Sequence, residues 1–128
     1  VLLTDAATTL TEAAHAGRII VLPDYQTTRI VTLPTPSAGM EFRFIYGGVN
    51  ITQANFVLNS SATTVHFHGG VAHIDSNADS VAVAADGTDD DVFTAVTFTG
   101  IDITVIGNSA TEWYVAGQVI GATAPTFA

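Results

Sequence analysis

Two stretches carry the side chains best suited to chemistry. The first is His66-x-His68, followed by His73 and Asp75. Histidines at i and i+2 of a strand project from one face and can share a transition-metal ion. Here Gly69-Gly70 follow at once, no glutamate comes next, and the fourth histidine is the distant His15. One chain therefore supplies an incomplete ligand set, which symmetry copies around a threefold axis could complete. The simpler reading makes His66 and His68 surface or interface residues. The second stretch is Asp86-Gly87-Thr88-Asp89-Asp90-Asp91. Calcium takes several carboxylate and carbonyl oxygens, so Asp86, Asp89, Asp90 and Asp91 form a candidate Ca²⁺ loop. The EF-hand pattern of a sixth-position glycine and a closing glutamate is absent, and a D-G turn between strands accounts for the same residues. The expectation is no cofactor, with Ca²⁺ at the aspartate loop as the alternative.

Local catalytic motifs are missing: the sequence has no G-x-S-x-G, Walker loop, strand-linked G-x-G-x-x-G, H-E-x-x-H or C-x-x-C. A non-enzymatic role is expected. The charge balance narrows the partners. Twelve acids stand against three bases and no lysine, a formal net charge of −9. Arg18, Arg29 and Arg43 are too few and too dispersed to hold a phosphate backbone, so neither nucleic acid nor an anionic membrane is expected as a partner. The acidity keeps an apolar-rich chain in solution, and high salt would screen its self-repulsion. With no cysteine there is neither a disulfide framework nor thiol chemistry. The opening VLLTDAATTL lacks the basic start and long apolar middle of a signal peptide.

The elements that must position these residues are strands. Runs rich in Val, Ile, Thr and Phe cover Arg18–Leu22, Thr28–Leu33, Met40–Tyr46, Asn55–Asn59, Thr63–His68, Ser80–Ala85, Asp91–Phe98, Ile101–Ile106 and Thr111–Ile120. Turn signals fall between them, including Gly69-Gly70, Asp86-Gly87, Gly100 and Gly107-Asn108. At 128 residues, this spacing predicts one all-β domain, an antiparallel β-sandwich or barrel with short flexible N- and C-terminal segments. Alternation puts Phe42, Phe44 and Tyr46 on one face, and Glu41 and Arg43 on the other. Val65 and Phe67 point inward and the histidines outward. Val81 with Val83, Ile101 with Ile103 and Val105, and Trp113 with Val115 likewise share faces. The corner Leu33-Pro34-Thr35-Pro36 stops one strand and sets up the next. One helical piece is expected within Ala6–Ala16, weakened by Thr8-Thr9 and by the lack of an apolar stripe. Residues 1–16 read as a loose arm and 121–128 as a tail.

The ordered series from Leu10 to Gly47 (strand, turn, strand, L-P-x-P corner, alternating strand) resembles the opening of capsid decoration, or cement, proteins of tailed and especially marine bacteriophages. The closing IDITVIGNSATEWYVAGQVIG, with W-x-V-x-G at Trp113, Val115 and Gly117, is similar to the final strand pair of that group. Related β-rich modules occur on phage fibres. The resemblance implies a structural virion protein on the outer capsid surface, assembled in the bacterial host cytoplasm. It would be a homotrimer that clamps neighbouring major capsid subunits. On this reading Val1, Leu2, Leu3 and Thr4 are candidates to dock on the capsid, and the arm is expected to be dispensable for folding. His66, His68, Pro125 and Phe127 are candidates for the trimer interface. The alternative is a fibre module or a receptor- or carbohydrate-binding β-module, for which Tyr25 and Tyr46 are the candidate exposed rings.

Overall fold

Consecutive strands of this chain mostly change layer, and that habit sets the topology. The computed structural model describes residues 1–48 and 54–128. Its strands are β1 (Thr8–Thr9), β2 (Ile19–Val21), β3 (Arg29–Thr32), β4 (Glu41–Tyr46), β5 (Asn55–Asn59) and β6 (His66–Ile74), then β7 (Val81–Asp86), β8 (Val92–Val96), β9 (Phe98–Ser109), β10 (Glu112–Gly121) and β11 (Thr126–Phe127). One sheet runs β1-β3-β5-β8-β11 and the other β2-β4-β9-β10-β6-β7. The two pack into an all-β sandwich with no closed barrel. From β2 to β5 the chain alternates between the sheets, so strands that become neighbours are two apart in sequence and run parallel, as in β2–β4 and β3–β5. β10 pairs parallel with β6 and antiparallel with β9. The sheets are therefore mixed rather than antiparallel throughout.

The core follows the alternation. Phe42, Phe44, Tyr46, Phe67, Ile101, Ile103, Val105, Trp113 and Val115 are buried from the six-stranded sheet; Val31, Phe56, Leu58, Phe93 and Ala95 meet them from the other. Phe44 and Phe56 bridge the layers at 5.7 Å between centroids, and Phe42 stands edge-on to Trp113 at 5.8 Å. Rings in such edge-on or tilted contacts gain beyond the area they bury. Trp113 Nε1 donates to the Ser60 carbonyl at 2.9 Å, so the largest core side chain buries no unpaired donor.

Several boundaries differ from those expected, for identifiable reasons. The helix expected within Ala6–Ala16 shrinks to one turn, α1 (Glu12–His15), capped by Thr11, whose hydroxyl accepts from the Ala14 amide. Its β-branched neighbours Thr8 and Thr9 instead pair with Val31 and Thr32. Gly69-Gly70 lies within β6 and does not end it. Gly107 is likewise inside β9: a side chain there would strike the Ser37 carbonyl of the proline corner, while Gly107 exchanges backbone bonds with Gly39 and Met40. The break between β8 and β9 falls at Thr97, whose φ is 41°. Gly100, read as a turn, is inside β9.

Both termini are stitched in. The Val1 ammonium donates to the Ile19 carbonyl, the Val21 amide to Val1, and the Leu3 amide to Val21. Leu3 and Leu10 are core residues. At the other end Phe127 lies against Phe93 and Phe67, and Ala128 exchanges two backbone bonds with Val92. The segments read as an arm and a tail thus make backbone and side-chain contacts with the sandwich. Among the described residues no helix is long and apolar enough to cross a membrane.

Candidate functional site

The sequence-predicted site residues do not converge. His66 and His68 stand half-buried on the outer face of the six-stranded sheet, whereas His73 is buried on its inner face. The parity of β6 dictates this split, since residue 73 has the phase of Phe67. His73 Nε2 lies 2.8 Å from the Gly121 carbonyl, a core hydrogen bond that fastens β6 to the end of β10. His68 approaches Glu112 at 3.4 Å, and Glu112 also accepts from Asn108. The Gly87 backbone lies against the His68 ring, where a side chain would collide with it. His66 Nδ1 is buried without a hydrogen-bond partner among the described residues.

Two aspartates of the loop bond its own backbone. Asp86 Oδ1 accepts from the Thr88 amide and Asp90 Oδ2 from the Asp86 amide, both within 2.8 Å. The carbonyls of Asp90 and Asp91 accept from Phe67 and Ser60. These bonds make it a turn that joins the two sheets. Among the described residues no three His, Cys, Asp or Glu side chains gather around one point.

Of the capsid-docking candidates, Leu2 is 69% exposed, with Val1 and Thr4 also exposed, but Leu3 is only 6% exposed and belongs to the core. Of the trimer candidates, Pro125 is buried and the Phe127 ring is spent on Phe67 and Phe93 of the same chain. Phe127 keeps part of its surface exposed. Tyr25 and Tyr46 are buried rather than exposed. Tyr46 donates to Asp24, and burial together with that bond pushes its hydroxyl well above the usual phenol range. Among the described residues the Tyr25 hydroxyl has no partner, and burial, reinforced by the Asp5 charge, raises it to about 12.

What the sequence reading missed is the outer face of the six-stranded sheet. Tyr114 is 51% exposed, beside Ile106 on β9 and in register with His68 on β6. Next to this row, Arg43, Asp102, Thr104, Ala116, Gly117 and Gln118 line a shallow depression of about 530 Å³. Arg43 grips Asp102 through two parallel bonds of 2.9 and 2.7 Å, which raises the guanidinium and lowers the carboxyl. The floor exists because Gly117, at φ 137°, leaves no room for a side chain against the Asp102 carbonyl. The β10–β6 pairing is interrupted between Val115↔Gly69 and Gln118↔Ala72. Beyond it, Gly69, Gly70, Val71, Ala72, Ala82, Val83 and Ala84 line a second, apolar hollow of about 290 Å³ that reaches β7. A signal was available: Tyr114 alternates with buried Trp113 and Val115, so its ring faces out.

Compared with known protein families, curated proteins and solved structures, the chain matches none of them.

Proposed function

We propose that this protein is a structural component of a tailed-phage virion that decorates the outer capsid surface and stabilises it, as a homotrimer clamping neighbouring major capsid subunits. One observation carries the reading. The two segments that resemble decoration proteins, Leu10–Gly47 and Ile101–Gly121, lie far apart in sequence. They nevertheless supply β2, β4, β9 and β10, four consecutive neighbours of one sheet, while β3 from the first segment crosses to the facing sheet. A resemblance that falls mainly on adjoining strands is what a shared structural unit would give. The mechanical role also suits a sandwich whose two ends are both hydrogen-bonded into sheets. His66 and His68, half-exposed on the outer face, remain candidates for contact between copies.

Immunogold electron microscopy with antibody against this domain tests the reading on intact virions. Label spread over the head is the expected result, and label confined to the tail tip would replace cementing with receptor binding. A second reading, a carbohydrate-binding β-module, is favoured by one feature only: the exposed Tyr114 ring close to the polar depression of Arg43, Asp102 and Gln118. Glycan-array binding that is lost in Tyr114→Ala would select it.

A further inference from the structure

Among the described residues the sandwich has four sheet edges, of which two are very short and one is covered. β1 and β11 are only two residues long. β2 is covered on its outer side by Val1–Leu3, which bonds to Ile19 and Val21 and pairs Leu2 with Val21. β7 differs. It is six residues long, reads Val-Ala-Val-Ala-Ala-Asp, and among the described residues has β6 as its only hydrogen-bonded neighbour. Soluble β-proteins shorten, cover or charge such edges, because the unpaired amides and carbonyls are a template for another strand. Here Ser80 to Ala85 carries no charge at all. Val81 is 55% exposed although its phase is that of the core, since the opposing sheet ends at the short β11. The apolar hollow of Gly69, Gly70, Ala72, Ala82 and Ala84 opens beside the same edge.

Charge selects the occupant. Asp75 and Asp79 precede β7, and Asp86, Asp89, Asp90 and Asp91 follow it, while no lysine or arginine occurs after Arg43. Half of the chain's acids therefore bracket a neutral edge. A second copy pairing edge to edge would bring two such brackets together, within the ~10 Å over which charges interact at moderate salt. A foreign strand with basic ends meets attraction at both.

We propose that β7 is an acceptor edge for β-strand addition, and that its occupant is an extended segment of another protein, uncharged along its centre and carrying Lys or Arg at both ends. Main-chain bonds to β7 would supply affinity, and alternate side chains would cover Val81 and enter the neighbouring hollow. On the decoration reading, on which this identification rests, the donor is a segment of the capsid subunit.

The test uses a synthetic peptide of alternating Val and Thr with lysines at both ends, and the same core ended with glutamates. Amide hydrogen exchange should show new protection within Val81–Ala85 with the lysine-ended peptide only, weakening as salt is raised. The variant Val81→Lys, Ala84→Lys replaces two exposed side chains and should bind that peptide about tenfold more weakly, the scale of electrostatic steering by a charged cleft. Equal binding of the two peptides, protection elsewhere, or an unaffected variant would overturn the proposal. A concentration-dependent dimer of the free chain that the variant abolishes would also overturn it, by placing a second copy on the edge. Purified expanded capsids separate the two readings. If the wild-type chain and the variant bind capsids equally, the edge proposal fails and decoration stands. If the peptide binds but capsids do not, decoration fails and the edge stands.

Discussion

The two edges of the six-stranded sheet are finished in opposite ways. At β2 the N-terminal residues lie along the strand, satisfy its backbone and sink Leu3 into the core. At β7 nothing among the described residues lies alongside, and the exposed side chains ahead of Asp86 are small and neutral. An edge closed by its own chain is a stability device, because every bond made there was already counted in folding. An edge left open contributes little to the isolated fold and keeps its donors and acceptors for an encounter. The apolar start of the chain, which invites reading as a docking arm, thus spends its backbone on β2 while the Leu2 side chain stays exposed.

The sharpest way to break this contrast is to open the closed edge. Deleting Val1–Thr4 removes buried Leu3 and three backbone bonds to β2, and should cost about 4 kcal/mol or more. Urea unfolding would measure the loss, and sedimentation should show the newly bared β2 edge self-associating. Leu3→Ala isolates the core part and should cost about 2–3 kcal/mol, since a buried leucine leaves a cavity. If either change left the midpoint unmoved, the N-terminal segment would be an arm after all.

Tyr25 and Asp5 flank the closed edge and give it a pH signature. The Tyr25 hydroxyl is buried and raised from 10.0 to about 12. A group raised on folding favours the folded state below its unfolded value, so this contribution is complete below pH 10 and is lost as pH rises from 10 to 12. Tyr25→Phe removes a buried hydroxyl that has no partner among the described residues, and should stabilise the protein by up to about 1 kcal/mol and flatten the alkaline limb. At acid pH the sign reverses. The Arg29 guanidinium, 2.8 Å from Asp5, holds that carboxyl below its usual value. Its contribution is present above about 3.8, the unfolded value, and disappears as pH falls through the lowered one. Asp5→Asn should shrink only the acid limb, by a small amount, because the pair is a third exposed. Thermal melts across pH would read both limbs.

Strand phase was the part of the fold most legible in the sequence. Phe42, Phe44, Tyr46, Trp113 and Val115 fall inward as their alternation requires, because parity survives errors of a residue or two at the ends. Partner choice was not legible. Nothing local to Ile19–Val21 states that its neighbour is Glu41–Tyr46 in parallel, since that depends on Arg29–Thr32 crossing to the other layer. Glycine misled in a consistent way: Gly69, Gly100 and Gly107 read as turns, yet each sits inside a strand, two of them where a neighbouring carbonyl comes too close for a side chain. The roles of the site candidates were not legible for a related reason. Aspartates able to bind Ca²⁺ are equally able to bind their own amides, and the loop uses them so. Tyr114 lies between two core residues, Trp113 and Val115, so only its strand phase marks its ring as outward.

The smallest expected effect tests the open edge most directly. Val81→Lys, Ala84→Lys should change the unfolding free energy by no more than about 0.5 kcal/mol, the ordinary range for exposed substitutions away from caps, cavities and networks. Both side chains are exposed, and the hydrogen bonds of β7 to β6 are backbone bonds that the change leaves in place. Added lysines also lessen the repulsion among the aspartates at either end of the strand, so a slight gain is compatible with the argument. A loss as large as that of Leu3→Ala would mean that β7 supports the fold as β2 does, and the contrast between the edges would collapse. A near-silent result in folding, beside a clear loss of peptide capture, is what separates a surface kept for a partner from one that only holds the sandwich together.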